Sequence, residues 1–219
     1  YARVAEHLVA QRPQLRFQAT LSPFMSDARL QALLSQPVDP RLDSTPGHLD
    51  SQKGAFVCQS GLQIPLLREN SLQALAASSL AVSIPGTKTA EAACLGVPSL
   101  TLVPLNCPEG LPYGGLLGLL DWLPGGSHWK GRWLKRQAAR VGLLAQPNQL
   151  LQEAVMPEIV DIVTAVGVAQ RVAEILDEPE RLNEKGLRLR QAYHELAGGA
   201  ARMLDILKCH ERTTPACAP

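Results

Sequence analysis

The chain has 219 residues, of which 46% are hydrophobic, and its 21 Lys and Arg residues nearly balance its 20 Asp and Glu residues, giving a formal net charge of +1. This length and composition predict a globular protein with a substantial core. The balanced charge argues against nucleic acid as a partner, so any anionic ligand must be held by a local site.

The first seventy residues predict a helix, a strand and a second helix. The opening stretch "YARVAEHLVAQRP" has the pattern of a helix already under way at Tyr1, so we expect a fragment that has lost its upstream sequence. The alternation in "LRFQATLS" predicts a strand, and Ser26 and Asp27 are suited to cap the helix "DARLQALLSQ". The segment 37–53 is rich in Pro, Ser, Asp and Gly and predicts an exposed loop.

The middle of the chain alternates short apolar strands with helices. "AFVCQ" and "QIPLL" are strand candidates, Asn70 and Ser71 offer caps to "LQALAASS", and "LAVSI" and "SLTLV" have the apolar character of strands buried in a parallel sheet. This alternation predicts a doubly wound parallel α/β sheet with right-handed crossovers. Ligands in such sheets bind beyond the carboxyl ends of strands, where Pro85, Gly86 and Thr87 form a turn.

The last third of the chain predicts helices. From Asn148 the pattern becomes helical, with "IVDIVTAVGVAQRVAEILDEP" ended by Pro179. We expect 148–208 to be closing helices of the domain formed by 1–147, and 209–219 to be a disordered tail.

The turn after "LAVSI" has the residues of an anion site. A helix that begins directly after a strand leaves its first N–H groups unpaired, and Gly86 lets a phosphate approach them. Thr87 and Thr89 add hydroxyl groups, and Glu91, one turn further on, can accept hydrogen bonds from the two hydroxyls of a ribose. In the alternative interpretation Glu91 simply pairs with Lys88, and the threonines cap the helix.

Two segments resemble a known enzyme family. "LQALAASSLAVSIPGTKTAEAACLGVPSLTLVPLN" is similar to the donor-site segment of lipid-A-disaccharide synthases, inverting glycosyltransferases of the two-Rossmann GT-B type. "WLKRQAARVGLLAQPNQLLQEAVMPEIVD" resembles the segment of that family in which Lys-Arg, Pro-Asn and Pro-Glu follow at similar intervals. Together the two resemblances cover most of the chain from Asn70 to Leu207.

The resemblance implies the C-terminal, Rossmann-like half of such an enzyme, which binds a UDP-sugar donor. Gly86 and Thr87 would meet the diphosphate, Thr89 would support them, Glu91 would hold the ribose, and Asn148 would lie near the same cleft. The acceptor, a glycolipid or a sugar, and the general base would come from the N-terminal half, so no catalytic residue is assigned. Inverting transfer of this kind needs no metal or cofactor.

Three features depart from the family pattern. Pro85 replaces the serine of the family, the Gly-Arg between Pro-Asn and Pro-Glu is missing, and the connection 105–131 is longer than usual. Two other functions therefore stay open: a non-catalytic binding or scaffold protein of the same fold, and a UDP-sugar 2-epimerase. The epimerase is disfavoured because "GTKTAEA" lacks the additional acidic residues of those enzymes.

The segment 111–136 combines leucines and glycines with three tryptophans and several cations. Indole rings beside cations favour the headgroup level of a membrane, so this segment predicts peripheral membrane contact. The alternative is a local leucine core with a solvated cationic face. Five widely spaced cysteines without a Cys-x-x-Cys pair argue against a disulfide framework or a zinc cluster. We therefore expect a location in the reducing cytosol, at the inner face of the cell membrane.

Overall fold

The protein has a mixed α/β fold in which parallel strands alternate with helices. The computed structural model describes residues 1–22, 24–37, 40–107, 135–136 and 142–195, with Gly198 and Met203. The helices are α1 (Ala2–Gln11), α2 (Asp27–Leu34), α3 (Ser71–Ala76), α4 (Thr87–Cys94), α5 (Gln146–Leu151), α6 (Ala165–Leu176) and α7 (Pro179–Glu195). The strands are β1 (Ala19–Thr20), β2 (Gly47–Asp50), β3 (Ala55–Cys58), β4 (Gln63–Leu67), β5 (Ala81–Ser83), β6 (Ser99–Pro104) and β7 (Glu158–Asp161).

The strands form two sheets. One contains β5, β6 and β7 in that order, and all three are parallel. The other has the order β1-β4-β3-β2, in which β1 pairs with β4 in parallel while β4, β3 and β2 are antiparallel neighbours. The expectation of parallel strands linked by helices is confirmed, but the second sheet also contains an antiparallel meander of three strands, β2-β3-β4, whose pairing the sequence did not predict.

The two faces of β6 are covered by different helices. Leu100 and Leu102 belong to a core cluster that includes α6 residues such as Val168 and Val172. On the other face, Ser99 is fully buried and donates a hydrogen bond to the sulfur of Met156, 2.9 Å away, and Met156 packs with Ala93 of α4 and Leu189 of α7. Because successive residues of a strand point to opposite faces, this arrangement places helices on both sides of the parallel sheet.

Helix α1 packs against both sheets. Val4 and Leu8 lie in the cluster with β6 and α6, while Ala5 packs with Cys58 and Ile64 of the second sheet. The positions i, i+1 and i+4 lie on adjoining stripes of one helix, so α1 presents apolar side chains in two directions.

Two elements correct the sequence expectations. The segment 37–53 is not entirely a loop, because Gly47–Asp50 forms β2 in antiparallel register with β3. The segment 148–208 is not entirely helical, because Glu158–Asp161 forms β7 in parallel register with β6. Both strands are only four residues long, and their pairing partners rather than their own sequence patterns stabilise them.

The predicted helix ends are confirmed in part. The side chain of Ser26 accepts a hydrogen bond from the N–H of Arg29, as the capping prediction requires. Helix α6 ends before Pro179, which begins α7. The capping prediction for Asn70 is wrong, because this residue has a left-handed backbone with φ of 56° and its side chain makes no capping hydrogen bond.

The predicted membrane-contact segment lies almost entirely outside the described residues, as does the predicted disordered tail 209–219. Within the described ranges, no helix is both long and apolar enough to cross a bilayer.

Candidate functional site

The turn between β5 and α4 has a backbone that favours glycine. Gly86 has φ of 149° and ψ of −165°, and no heavy atom of the described residues lies within 4 Å of the point where a Cβ would be. The open space on this side of Gly86 leaves the backbone accessible to a ligand. The turn follows the last residue of β5, so it lies at the carboxyl end of the parallel strands, where the sequence placed it.

The first turn of α4 offers unpaired backbone donors. Thr89 N–H is bonded to Gly86 C=O at 3.0 Å, but Thr87 N–H and Lys88 N–H have no acceptor among the described residues. Within the described ranges, no side chain caps this helix. The two free N–H groups and the positive end of the helix dipole together favour an anion in front of Thr87.

The two threonines of the site have different surroundings. Thr89 is fully buried, and its hydroxyl donates to Gly86 C=O at 2.7 Å. Thr87 is exposed at the start of the helix. Thr89 therefore holds the turn in place, while the hydroxyl of Thr87 is accessible to a ligand.

Glu91 forms an ion pair on the same helix. Its Oε2 lies 2.6 Å from Nζ of Lys88, and the two side chains remain 34% and 50% exposed. This is the contact that the alternative interpretation of the sequence describes. The pair is open to solvent, and both side chains can leave it without unfolding the helix, since exposed pairs of this kind contribute about 0.2–1 kcal/mol.

Asn148 is fully buried, unlike the other candidate residues. Its Nδ2 donates to Met156 C=O at 2.8 Å and to Oε1 of Glu158 at 2.6 Å, and its Oδ1 accepts from Met156 N–H at 2.8 Å. Glu158 also accepts the N–H groups of Leu144 and Ala145. Asn148 therefore connects the start of α5 to β7, and its polar atoms are engaged within the protein rather than presented to a ligand.

Two further polar groups lie at the carboxyl ends of β6 and β7, and sequence reasoning missed both. Asn106 donates to the C=O groups of Arg41 and Val163 and accepts the N–H of Val163, so it joins three loops. Asp161 pairs with Nζ of Lys135 at 2.7 Å. The hydrogen bond from Lys135 lowers the pKa of Asp161, and the N–H of Ile162 lowers it further.

Lys135 places an exposed cation at this end of the sheet. Its side chain is 56% exposed, and its partner Asp161 is the last residue of β7. The signal that would have found Asp161 is its place directly after the β-branched pair Ile159 and Val160, which the helical pattern of the surrounding sequence conceals.

The predicted site residues are thus separated into two groups. Gly86, Thr87, Thr89 and Glu91 lie together on the turn and the first turns of α4, while Asn148 belongs to a buried network on α5. Helix α5 packs against α4, so the buried network supports the helix that carries the turn. Among the described residues, no cluster of His, Cys, Asp or Glu has the arrangement of a metal site.

No family model, curated protein or solved structure matches the chain.

Proposed function

We propose that the chain is the donor-binding half of an inverting glycosyltransferase similar to lipid-A-disaccharide synthases. It binds a UDP-sugar at the turn before α4, and the sugar passes to a lipid-linked or sugar acceptor. Its GT-B partner half supplies the general base and most of the acceptor site. The enzyme acts in the cytosol at the inner face of the membrane, with 111–136 as the membrane contact.

One observation carries this proposal: at the carboxyl end of a parallel sheet, the N–H groups of Thr87 and Lys88 have no acceptor in the described part of the chain, and Gly86 leaves the backbone beside them open. A diphosphate has the charge and the oxygen acceptors that suit these donors. Transfer from UDP requires stabilisation of the negative charge that develops on the departing diphosphate. Fixed N–H groups and a helix dipole supply this stabilisation without reorganisation during the reaction.

The Lys88–Glu91 pair extends the same proposal to the nucleoside. When UDP binds, the ammonium of Lys88 turns to a phosphate and the carboxylate of Glu91 accepts hydrogen bonds from the ribose hydroxyls. The exchange replaces one exposed ion pair, whose side chains are 50% and 34% exposed, with two charge-assisted contacts to the ligand.

The same ion pair favours one alternative, a non-catalytic binding or scaffold protein. If the Glu91 carboxylate is permanently held by Lys88, the chain keeps the fold but lacks the ribose contact. The replacement of the family serine by Pro85 fits this alternative too. The UDP-sugar 2-epimerase stays the less favoured enzyme alternative, since no additional acidic side chain lies in "GTKTAEA".

Calorimetric titration of UDP into the chain and into its Glu91→Ala variant tests the proposal. Removing the charge-assisted hydrogen bonds to the ribose should cost about 1.5–3 kcal/mol, roughly ten- to a hundredfold in affinity. The matched control is Glu174→Ala, which removes the carboxylate of another i, i+3 ion pair, formed with Arg171 at 2.9 Å on α6.

The control variant should bind UDP like the parent chain. Two results would contradict a nucleotide site at the turn and favour the scaffold alternative. In the first, the folded parent chain does not bind UDP. In the second, Glu91→Ala and Glu174→Ala weaken UDP binding equally.

A further inference from the structure

An open groove lies at the amino ends of β1 and β4, and none of the proposed nucleotide-site residues lines it. Its volume is 420 Å³, within the range of about 300–1,000 Å³ that is usual for small-molecule sites. The segments 15–18 and 62–65 border this β1–β4 groove, and Val9 of α1 and Pro13 complete its lining.

Pro65 explains why the two bordering segments are separated. β1 pairs in parallel with only the last two residues of β4. Leu21 N–H bonds to Leu67 C=O at 2.8 Å, and the regular alternation of a parallel ladder would next require the C=O of Phe17 to accept the N–H of residue 65. Proline has no N–H, so the ladder stops there and a groove takes its place.

The interrupted ladder leaves the backbone of Phe17 open. Neither its N–H nor its C=O has a hydrogen-bond partner in the described part of the chain. Because Phe17 lines the groove, its N–H is a donor that a bound ligand can use.

The walls of the β1–β4 groove are apolar, and its rim is polar. Leu15 and Phe17 pack against the core cluster that contains residues of α1, and Leu62 packs against the cluster of the second sheet. Arg16 and Gln18, which alternate with these apolar residues along the chain, are exposed. The alternation typical of a strand therefore places the polar side chains at the edge of an apolar surface.

Arg16 is the only charged residue in the described lining of the groove. Its Nη1 donates to Pro13 C=O at 3.2 Å and to Leu15 C=O at 3.4 Å. Both acceptors are neutral, so they orient the guanidinium without compensating its charge. Within the described ranges Arg16 forms no ion pair, and its Nε and Nη2 have no acceptor.

We propose that the β1–β4 groove binds a small apolar monocarboxylate, in which one hydrocarbon or aryl group carries one carboxylate. The apolar group lies against Leu15, Phe17 and Leu62, and the carboxylate accepts hydrogen bonds from Arg16 at the rim. The planar guanidinium suits the two oxygens of a carboxylate. This inference is independent of the proposed nucleotide site.

The charge and polarity of the lining select this class of ligand. One cation compensates one negative charge, so a group with two charges would leave the second charge unpaired beside apolar walls. An uncharged hydrocarbon would leave the guanidinium of Arg16 without an anion. A single carboxylate on an apolar group satisfies both parts of the lining.

Titration of the isotope-labelled chain with octanoate, followed by nuclear magnetic resonance, tests the proposal. The largest shifts should occur at the amides of 15–18 and 62–64. Acetate has the same head group without the apolar chain and should bind far more weakly. The Arg16→Gln variant should bind octanoate about tenfold more weakly, because a charge-assisted contact is lost. Its affinity for octanol, which has no carboxylate, should equal that of the parent.

Arg29→Gln is the matched control. Arg29 is an exposed residue of α2 whose side chain forms no hydrogen bond or ion pair among the described residues. This variant loses the same charge and should bind octanoate like the parent.

Three results would overturn the proposal. In the first, octanoate causes no shifts at the groove of the folded parent chain. In the second, Arg16→Gln and Arg29→Gln weaken octanoate binding equally. In the third, Arg16→Gln weakens octanol binding as much as octanoate binding, which would mean that the variant changes the shape of the groove rather than its charge.

Discussion

Nζ of Lys88 lies 2.6 Å from Oε2 of Glu91, and the two residues follow an unpaired helix N-terminus in which Gly86 leaves the backbone open. The cation and the carboxylate of this pair suit different parts of a nucleotide, the diphosphate and the ribose. A functional donor site therefore requires that Lys88 and Glu91 separate when the ligand binds. In a chain that keeps the fold but not the function, the pair would stay closed.

The Lys88→Ala variant should change the affinities for two ligands in opposite directions. Freed from its partner, Glu91 should bind uridine about two- to fivefold more tightly, because an exposed ion pair contributes up to about 1 kcal/mol. UDP should bind about tenfold more weakly, because a phosphate contact is lost. Calorimetric titration of both ligands checks this. Arg171→Ala, which breaks the corresponding pair on α6, is the control, and a change in the same direction for both ligands would contradict the exchange.

The Asn148→Ala variant should destabilise the fold rather than the nucleotide complex. Truncation leaves Met156 N–H and C=O without their buried side-chain partner and removes a donor from Glu158. We expect a loss of about 2–4 kcal/mol in the free energy of unfolding, measured by urea denaturation. The folded variant should bind UDP within about twofold of the parent, so the opposite pattern, unchanged stability with lost UDP affinity, would show that Asn148 contacts the ligand.

Gly186→Ala should separate α7 from the end of α4. A Cβ at Gly186 would lie 2.4 Å from the C=O oxygen of Gly96, which is backbone and has little freedom to move. Overpacking of this kind should cost about 1–3 kcal/mol, which exceeds the gain in helix propensity. Gly167→Ala is the control, because its Cβ would meet only the hydroxyl of Thr164 at 3.2 Å. Thermal unfolding of both variants measures the difference, and equal stability would contradict the close contact.

The surroundings of the Glu6 carboxyl group make the stability of the fold depend on pH. It accepts a hydrogen bond from the hydroxyl of Ser60, and its side chain is 12% exposed. Burial acts to raise its pKa, but the hydrogen bonds of Ser60 and Thr45 and the charge of Arg3 together outweigh burial, so the pKa of Glu6 lies below its usual value. A carboxyl group of this kind stabilises the fold above its unfolded pKa, about 4.3, and loses that contribution as the pH falls through the folded value.

At about pH 7 the free energy of unfolding of the Glu6→Gln variant should therefore be about 1–2 kcal/mol lower than that of the parent. This difference should shrink as the pH falls and Glu6 of the parent becomes protonated. Urea denaturation at about pH 7 and about pH 3 measures this. A stability difference that stays constant or grows towards acid would mean that the ionised carboxylate is not the stabilising form.

Local sequence patterns predicted the elements that are specified by residues close together in the chain. The strand β5, the turn at Gly86 and the helix α4 follow from an apolar run, a glycine and a helical segment in sequence, and all three are observed. The Lys88–Glu91 contact also follows from i, i+3 spacing and was foreseen as the alternative.

The parts that could not be predicted depend on distant partners. The polar stretch "GHLD" becomes β2 only because β3 pairs with it. In β7 only Ile159 and Val160 are apolar, and the sequence continues through "IVTAV" into α6 without a clear break. Asn106 forms hydrogen bonds with Arg41 and Val163, which are separated from it by 65 and 57 positions in the sequence, and no local pattern predicts contacts over such separations. The burial of Asn148 likewise depends on its contacts with Met156 and Glu158 across the turn after α5.

Nuclear magnetic resonance of the isotope-labelled chain during addition of UDP tests the central claim most directly. We expect the largest shifts at the amides of Gly86, Thr87 and Lys88. The contrasting location is an open groove of 420 Å³ at the amino ends of β1 and β4, lined by residues such as Arg16, Phe17 and Gln63. Shifts confined to that groove, or no shifts in the folded chain, would contradict a nucleotide site at the start of α4.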